Sequence, residues 1–293
     1  MKILITGSNG LLGQKLVAQC LKRKVNFTAT SRGGNRNPDC PSANYLPMDI
    51  TSYQEVRAVL KAVEPSHVIH TAAITNVDHC ELHAEECELT NVQAVGILFQ
   101  ACKELGIHFQ LLSTDFIFNG EKGNYKEEDL PDPLSVYARS KVDAEEVLKS
   151  SDYTNWSIVR TIIVYGTGHN LSRNNIVCWA KEALQKGQEM KIVDDQFRAP
   201  TWADDLAWAC LRICELNETG IFHICGPETM SVYRLVERIA EYYGWSKEHL
   251  VRLSSKELNQ PAKRPPKTGF DLAKSRRLLG YNPKSLEETL DLI

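Results

Sequence analysis

The stretch Lys2-Ile3-Leu4-Ile5-Thr6-Gly7-Ser8-Asn9-Gly10-Leu11-Leu12-Gly13 decides the fold of this chain. A short apolar strand enters the glycines, and an apolar-periodic helix leaves them at Leu11 and runs to about Lys22. The spacing G-x-x-G-x-x-G allows a tight turn, a close approach of the backbone to phosphate, and close packing of the helix on the strand. Because the amides at a helix N-terminus bind anions, the stretch predicts a dinucleotide cradle rather than an ordinary glycine-rich turn. The residues assigned to this cradle are Gly7, Ser8, Asn9, Gly10, Leu11, Leu12 and Gly13.

Downstream of the cradle, strand-like and helix-like stretches alternate, as in a doubly wound parallel sheet with helices on both faces. The strands predicted in the first half are 3–6, 26–30, 44–47, 67–70, 109–113 and 156–161. The helices predicted between them are 11–22, 52–63, 85–105 and 136–149. After this the alternation loosens, with helices expected near 175–186, 202–216 and 231–243. The fold class is therefore α/β: a Rossmann-type domain over residues 1–165 with interleaved later segments, and a smaller, mainly substrate-binding region over residues 166–293.

The composition excludes several classes of protein. The chain is 43% hydrophobic and 24% charged with a net charge of -3, which is ordinary for a globular protein. No basic block indicates nucleic acid, and no apolar run reaches the roughly 18 residues that a membrane span needs. The beginning, Met1-Lys2-Ile3-Leu4, is a strand rather than a signal peptide, so we expect a cytoplasmic protein whose nine cysteines are thiols.

The end of the second strand indicates which dinucleotide binds. An acidic residue at this point hydrogen-bonds the ribose hydroxyls of NAD, but the sequence here is Thr28-Ala29-Thr30-Ser31-Arg32. The Ser31 hydroxyl and the Arg32 guanidinium suit a 2′-phosphate, since arginine binds phosphate through a planar fork. We therefore predict NADP(H); the alternative is that Arg32 is a solvated loop charge. Further cofactor contacts are expected where the next strands end, at Asp49, Ile50, Ala72, Ala73 and Ser113.

The stretch Tyr137-Ala138-Arg139-Ser140-Lys141 lies on a predicted helix, where Tyr137 and Lys141 share one face. A free tyrosine has a pKa of about 10, and a nearby ammonium lowers that pKa by stabilising the phenolate. Tyr137 is therefore predicted to be a general acid, with Lys141 tuning it and binding the nicotinamide ribose. Thr114 ends the fifth strand, at the edge where such sheets bind ligands, and can hydrogen-bond a substrate carbonyl. With the cradle, this predicts hydride transfer to a carbonyl and protonation of its oxygen.

One group of side chains has the composition of a metal site, namely His79, Cys80, His83 and Cys87. On a single helix, His79, His83 and Cys87 would share a face. Zinc sites usually show tighter cysteine pairs, so we favour a polar helix face with one half-buried thiol and predict no metal.

Beyond these motifs, the chain resembles the extended short-chain dehydrogenase/reductase superfamily, and most closely its dTDP-4-dehydrorhamnose reductases. The stretches that carry the resemblance are Ile5-Thr6-Gly7 to Gly13, His70-Thr71-Ala72-Ala73, Val77-Asp78, Asn91-Val92, Ser113 to Phe118, Tyr137 to Lys141, Arg160-Thr161, and Asp195-Gln196-Phe197 with Ala199-Pro200-Thr201. The resemblance implies that NADPH reduces the keto carbon of a nucleotide-linked 4-keto-6-deoxysugar. It makes Tyr137 the acid and Lys141 its partner. Thr114 would orient the carbonyl, and Asn91 would brace the site beside the cofactor.

The resemblance also implies a substrate side, on which the chain departs from the family. Residues expected to contact the nucleotide sugar are Val77, Asp78, Asp115, Asn170 and Arg198. Family members often carry tryptophan where this chain has Ile163. They carry a small residue where it has Arg198, which either grips a diphosphate or is a surface charge. Gln14-Lys15 replaces an acid that some members use for a metal-linked dimer, so we carry over neither that metal nor that dimer, and a homodimer is expected only by analogy.

Two alternatives stay open at this point. An epimerase or dehydratase of the same superfamily usually keeps NAD bound, and the lack of an acid beside Ser31-Arg32 disfavours this. The regulatory beta subunit of methionine adenosyltransferase is similar to the same reductases and binds NADP, so a non-catalytic binding subunit is the second alternative. Intact Thr114, Tyr137 and Lys141 favour an enzyme.

Overall fold

Parallel strands form the central sheet of the computed structural model, which describes residues 1–293. The strands of the chain are β1 (Lys2–Thr6), β2 (Asn26–Ser31), β3 (Tyr45–Pro47), β4 (His67–His70), β5 (His108–Thr114), β6 (Trp156–Thr161), β7 (Val164–Tyr165), β8 (Met190–Val193), β9 (Phe197–Arg198), β10 (Thr201–Trp202), β11 (Gly220–Ile224), β12 (Met230–Ser231) and β13 (Leu250–Leu253). The central sheet has the order β11-β6-β5-β4-β1-β2-β3, and every neighbouring pair is parallel. The predicted fold class, a doubly wound α/β sheet, is confirmed.

Helices connect the strands on both faces of the sheet. They are α1 (Leu11–Arg23), α2 (Tyr53–Val63), α3 (Val77–Leu82), α4 (Ala84–Glu88), α5 (Ala94–Leu105), α6 (Val136–Lys149), α7 (Ile176–Gln185), α8 (Ala203–Leu216), α9 (Val232–Tyr243), α10 (Ala273–Leu279) and α11 (Glu287–Leu290). None of these helices combines the length and the apolar character that crossing a membrane requires.

Side chains along the strands build one apolar layer on each face of the sheet, because successive residues point to opposite faces. Ile3 and Ile5 of β1 belong to the layer under α1 and α8, while Leu4 belongs to the layer under α2, α5 and α6. All three side chains are fully buried. Coverage on both faces explains why the first strand is apolar at consecutive positions instead of alternating with polar residues.

The cleft of the molecule lies where the strand order reverses. β1 pairs with β2 on one side and with β4 on the other, so Thr6 stands level with Thr30 and His70. Because the connections from these strands run to opposite halves of the sheet, a crevice opens beyond their carboxyl ends. The glycine turn after β1 and the loop after β4 meet at this edge.

The long helix predicted over residues 85–105 is interrupted. α4 passes into α5 through a π-helical turn at Leu89–Gln93, which is one residue wider than an α-helical turn. The turn carries Asn91, whose Nδ2 donates to the Ile74 carbonyl at 3.0 Å and whose Oδ1 accepts from the Ile74 amide at 2.8 Å. The distortion is therefore held by the loop after β4, and Asn91 braces that loop.

The C-terminal part of the chain divides between the sheet and a separate apolar core. β11 pairs with β6, and α8 packs beside α1, so residues 203–224 belong to the layers of the sheet. Helices α7, α9 and α11 and strand β8 surround another core, which includes Tyr165 and Leu290. The substrate-binding role of residues 166–293 stays a prediction.

Candidate active site

Two glycines of the turn after β1 have no room for a side chain. Gly7 has a φ of +67°, and a Cβ there would lie 2.7 Å from the Ala72 amide nitrogen. A Cβ at Gly13 would lie 2.5 Å from the Gly7 carbonyl oxygen, so α1 packs directly on the turn. The Gly10 amide donates to the same carbonyl at 2.9 Å. The turn has the geometry that the glycine spacing predicts.

The residues of this turn fit an anionic group. Gly10 is the N-cap of α1 and brings no side-chain cap, so the first amides of the helix have no side-chain acceptor. The Ser8 hydroxyl is buried in the same turn without a hydrogen-bond partner. The first turn of α1 also contains no acidic residue. Donors without partners at the positive end of a helix suit a dinucleotide diphosphate.

Asn9 fixes the loop that follows β2. Its Nδ2 donates to the Gly34 carbonyl at 3.0 Å, and its Oδ1 accepts from the Arg36 amide at 2.8 Å. Ser31 is half-buried at the end of β2, and the side chains of Arg32 and Arg36 are exposed beside it. Two guanidinium groups on a loop tied to the cradle suit the 2′-phosphate of NADP.

The other predicted cofactor contacts lie at the same edge of the sheet. Asp49 and Ile50 follow β3 and are half-buried. Hydrogen bonds from Thr51 hold the pKa of the Asp49 carboxyl below its usual range, and the nearby Arg32 adds to this effect. Ala72-Ala73 follows β4, is half-buried, and reaches the back of the glycine turn.

Asn170, which was predicted to contact the substrate, lies beside the loop that follows β2, and its contact with the substrate stays a prediction. Its Nδ2 donates to the Arg36 carbonyl at 3.1 Å. The adjacent His169 amide donates to Gln14 Oε1 at 2.7 Å, and Gln14 Nε2 donates back to the His169 carbonyl at 2.7 Å. The loop after β7 is thus bound to α1 and to the loop after β2. Gln14 was not predicted to bind this loop. The only feature of the sequence that could have indicated it is a polar residue directly after Gly13.

Thr114, Tyr137 and Lys141 come together at the end of β5. Ser135 is the N-cap of α6, which places Tyr137 in the first turn of the helix and Lys141 in the second. Lys141 Nζ donates to the Leu112 carbonyl at 2.7 Å, two residues before Thr114. The Thr114 hydroxyl lies within hydrogen-bonding reach of the Tyr137 phenol. The exposed fractions are only 7% for Thr114, 8% for Tyr137 and 4% for Lys141, so the three groups interact in a largely dry environment.

Burial governs the acidity of the catalytic pair. Burial raises the pKa of the Tyr137 phenol, and its interaction with the Thr114 hydroxyl opposes that rise. Burial lowers the pKa of Lys141 to about 8, and the Glu145 carboxylate opposes that fall. That Lys141 lowers the pKa of Tyr137 stays a prediction, since burial is the largest influence on the pKa of the phenol here. The ammonium donates to the Leu112 carbonyl, and the cost of burying a phenolate dominates.

Asp115 and Arg198, both predicted to contact substrate, are each only 2% exposed and have partners inside the protein. Asp115 accepts from the Thr114 hydroxyl at 3.1 Å and from the Thr268 hydroxyl. Arg198 Nε lies 3.8 Å from the Asp115 carboxylate, and its Nη2 donates to the Pro265 carbonyl at 2.6 Å. Arg198 is therefore not a surface charge, and its contact with a diphosphate stays a prediction. It binds the proline-rich segment, residues 260–268, to the strand end that carries Thr114.

Asp78 is also engaged by the proline-rich segment. Arg264 donates to the Asp78 carboxylate through Nη2 at 2.7 Å and Nη1 at 3.2 Å, and the Ala262 amide donates to it at 3.2 Å. Hydrogen bonding from Arg264 holds the pKa of Asp78 below its usual range. Val77 is half-buried and packs against the cluster that contains Tyr137. Val77 thus lies beside the catalytic phenol, whereas the Asp78 carboxylate already has a partner.

His79, His83 and Cys87 do not lie on a single helix, because the helix breaks at His83 between α3 and α4, although the rings of His79 and His83 stack with centroids 4.2 Å apart. His79 Nε2 lies 2.8 Å from Glu86 Oε2 near the surface. Cys80 and Cys87 are buried against the Tyr137 cluster. No group of three or more His, Cys, Asp or Glu side chains is arranged to hold a metal ion.

Comparison with known proteins matches the whole chain, residues 1–293, to the family described as RmlD substrate binding domain. The chain is 29% identical to the probable low-salt glycan biosynthesis reductase Agl14 of Haloferax volcanii, over 99% of this chain and 96% of that protein. It is 28% identical to methionine adenosyltransferase 2 subunit beta of Danio rerio, over 97% of this chain and 86% of that protein. The structure matches dTDP-4-dehydrorhamnose reductase from Bacillus anthracis in complex with NADP at a TM-score of 0.83 and 26% identity, covering 99% and 97% of the two chains. The chain therefore belongs to the RmlD substrate binding domain family.

Proposed function

We propose that the protein is an NADPH-dependent reductase of a nucleotide-linked 4-keto-6-deoxysugar, similar in activity to dTDP-4-dehydrorhamnose reductase. The observation that carries the proposal is the convergence of Thr114, Tyr137 and Lys141 at the carboxyl edge of the sheet that also carries the glycine turn. Membership of the family and similarity to the Bacillus anthracis reductase support it.

Each of the three residues has a task that its geometry supports. The reduced nicotinamide, when bound, supplies a hydride to the keto carbon. Thr114 and Tyr137 hold the carbonyl oxygen between their hydroxyls, and Tyr137 donates its proton to that oxygen as negative charge develops there. Lys141 binds the nicotinamide ribose through its ammonium group and offsets charge on the phenolate that remains.

The preference for NADP over NAD comes from the loop after β2. Arg32 and Arg36 are exposed there, and the half-buried Ser31 stands where NAD-binding folds place a carboxylate. A carboxylate at this point would repel a 2′-phosphate, whereas two guanidinium groups attract it. The structure of the Bacillus anthracis reductase contains NADP, which supports the same choice.

A non-catalytic NADP-binding subunit is the second candidate, and two observations favour it. One is the similarity to methionine adenosyltransferase 2 subunit beta. The other is that Tyr137 is only 8% exposed, while the Asp78 carboxylate, predicted to contact substrate, is already bound by Arg264. Such a subunit would bind NADPH tightly and reduce no keto-sugar.

The deciding experiment follows NADPH oxidation at the nicotinamide absorbance. The substrates are dTDP-4-dehydro-L-rhamnose and a small panel of other nucleotide-linked keto-sugars, with NADH run in parallel. A reductase oxidises NADPH with at least one of them and prefers NADPH to NADH. Tight binding of NADPH without turnover across the panel would support the binding subunit and contradict the reductase.

Tyr137→Phe separates the chemical role of Tyr137 from its packing. The variant removes the proton donor but keeps the ring beside Cys80 and Cys87. General acid catalysis is worth about 100-fold or more, so the rate should fall by at least that factor while the Kd for NADPH stays within about 3-fold of wild type. Steady-state rates and nicotinamide fluorescence measure the two quantities. A variant that reduces substrate as fast as wild type would exclude Tyr137 as the acid.

A further inference from the structure

An ion pair between Glu145 of α6 and Arg160 of β6 is buried inside the fold, and the proposed chemistry does not use it. Arg160 Nε donates to Glu145 Oε1 at 2.9 Å, and Arg160 Nη2 donates to Oε2 at 2.7 Å. Glu145 is 0% exposed and Arg160 is 1% exposed. Taking two charges out of water costs about as much as their attraction returns, so such a pair is a poor source of stability. The ion pair must therefore have a role other than stabilising the fold. One such role is to fix the geometry of neighbouring groups.

Three successive turns of α6 meet the last three residues of β5. The pairs are Tyr137 with Thr114, Lys141 with Leu112, and Glu145 with Ser113. In the third pair the Ser113 hydroxyl donates to Glu145 Oε1 at 2.6 Å. Ser113 was predicted to contact the cofactor, but its hydroxyl has this internal partner. Because all three contacts depend on one alignment of helix and strand, a slip of α6 along β5 would break them together.

Arg160 holds Glu145 from the other side. Its Nη1 donates to the Glu127 carbonyl at 3.2 Å and lies 3.3 Å from His223 Nε2 on β11. The guanidinium carbon lies 5.4 Å from the centre of the Phe118 ring. The ion pair is therefore anchored to β6, β11 and the loop after β5.

We propose that the Glu145–Arg160 pair is the positioning element of the active site, setting α6 against β5 through the Ser113 hydroxyl so that Tyr137 and Thr114 meet at one carbonyl oxygen. This part of the inference rests on the proposed function. Glu145 also supplies the carboxylate nearest to Lys141, and that effect is measurable through cofactor binding alone.

The groups that face Lys141 come from four elements. His70 of β4 has a pKa lowered to about 3, first by burial and then by Lys141, so it is neutral at pH 7. Cys87 of α4 is a buried thiol, and Leu112 of β5 offers its carbonyl. Glu145 of α6 is the carboxylate in this group. Burial alone would take the pKa of Lys141 lower than about 8, and Glu145 limits that fall.

Glu145→Gln tests the charge effect by removing the carboxylate with almost no change of shape. The Kd for NADPH is measured by nicotinamide fluorescence from pH 6.5 to 9, and Lys141→Met identifies the transition that belongs to Lys141. At pH 6.5 the ammonium is charged in both proteins, so we expect equal affinity within about 2-fold. At pH 8 the variant should bind about 5-fold more weakly, because the transition moves down by about one pH unit.

Glu145→Gln leaves Arg160 buried without its carboxylate, which can cause misfolding. Two further variants therefore control for this effect. Glu145→Leu/Arg160→Met removes both charges, and buried pairs exchanged in this way often keep the fold. Its affinity for NADPH should also fall about 5-fold at pH 8. Ser113→Ala keeps both charges but cuts the link to β5, so it should keep the wild-type pH dependence and lose about 10-fold in kcat.

Ser157→Ala is the matched control for Ser113→Ala. It removes another buried hydroxyl of the sheet, near the amino end of β6, where Ser157 contacts His108. It should change neither kcat nor the binding curve.

The inference is overturned if the charge variants, folded by circular dichroism, bind NADPH with the wild-type pH dependence. It is also overturned if Ser113→Ala turns over substrate as fast as Ser157→Ala. If the wild-type protein reduces no keto-sugar, the proposed function fails, and the pH dependence of NADPH binding still decides the role of Glu145.

Discussion

Ile163 adopts a φ of +32°, a left-handed conformation that a β-branched side chain rarely takes. Thr201 holds it there, because the Thr201 amide donates to the carbonyls of Ile162 at 3.1 Å and Ile163 at 3.0 Å, and its hydroxyl donates to the Ile162 carbonyl at 2.6 Å. Strain of this kind costs about 1–3 kcal/mol and collects at functional sites. Ile163 follows β6 at the catalytic edge of the sheet. Its backbone conformation is therefore fixed by the hydrogen bonds of Thr201 and not by the preference of its own side chain.

The predicted preference for NADP(H) depends most directly on a single residue, Arg32. A charge-assisted hydrogen bond to phosphate is worth about 1.5–3 kcal/mol, so Arg32→Ala should weaken NADPH binding by about 10-fold or more and leave NADH within about 2-fold. Fluorescence titration with both dinucleotides measures this. Arg234→Ala, which removes an exposed arginine of α9, is the control for the change of net charge. Equal losses for NADPH and NADH in Arg32→Ala would contradict the predicted 2′-phosphate contact.

At the scale of elements, prediction works where the determinants are local. The strand predicted over 67–70 is β4, because a short apolar run between turn residues fixes it. The cradle and the pair Tyr137 and Lys141 are likewise contained in short stretches. The π-helical turn at Leu89–Gln93 was missed, since it depends on hydrogen bonds between Asn91 and Ile74 in another element. Local periodicity cannot predict such contacts, because they join residues of different elements.

The start of α1 yields a prediction about an element. Gly13→Ala puts a Cβ 2.5 Å from the Gly7 carbonyl oxygen, so α1 must move off the turn. We expect a loss of about 1–3 kcal/mol in the free energy of unfolding, together with weaker NADPH binding. Urea unfolding and fluorescence titration measure the two effects.

Gly96→Ala is the matched control for that variant. Gly96 lies in α5, and a Cβ there meets nothing within 4 Å. Replacing a helical glycine by alanine stabilises by about 0.5–1 kcal/mol, so the two variants should shift the urea midpoint in opposite directions. If Gly13→Ala left the free energy of unfolding unchanged, α1 and the glycine turn would be less closely packed than the structure shows.

At the scale of the whole molecule, the substrate side depends on contacts between distant parts of the chain. Asp78 and Arg264 are 186 residues apart in the sequence, and Asp115 and Thr268 are 153 apart. The resemblance to a known family identified the two acids as substrate contacts. It did not reveal that the proline-rich segment binds both, since no local pattern encodes a partner so far away. The convergence of Thr114, Tyr137 and Lys141 was therefore predictable from short stretches of sequence, whereas these long-range contacts were not.

We expect the buried histidines to determine how the free energy of unfolding of the whole protein falls at acidic pH. Burial lowers the pKa of His70 to about 3 and that of His108 to about 4, and it also lowers the pKa values of His67 and His223. An unfolded chain has histidine pKa values near 6.5, so it binds more protons than the folded protein between about pH 6.5 and pH 4. The free energy of unfolding therefore falls as the pH is lowered through this window. Burial raises the pKa of Asp115, which acts in the opposite direction at the lower end.

Urea unfolding at pH 7 and pH 4.5 measures the effect, and we expect a loss of about 3–5 kcal/mol. His108→Gln removes one of these groups from a position where it contacts Asn155 and Ser157, so the variant should lose about 1–2 kcal/mol less than wild type on acidification. His249→Gln, which changes an exposed histidine, should keep the wild-type difference between the two pH values. If the free energy of unfolding were the same at pH 7 and pH 4.5, the buried histidines would have to be protonated without cost. Their burial argues against that, because an imidazolium ion there would lose its hydration, and at His70 and His223 it would also face the cations Lys141 and Arg160.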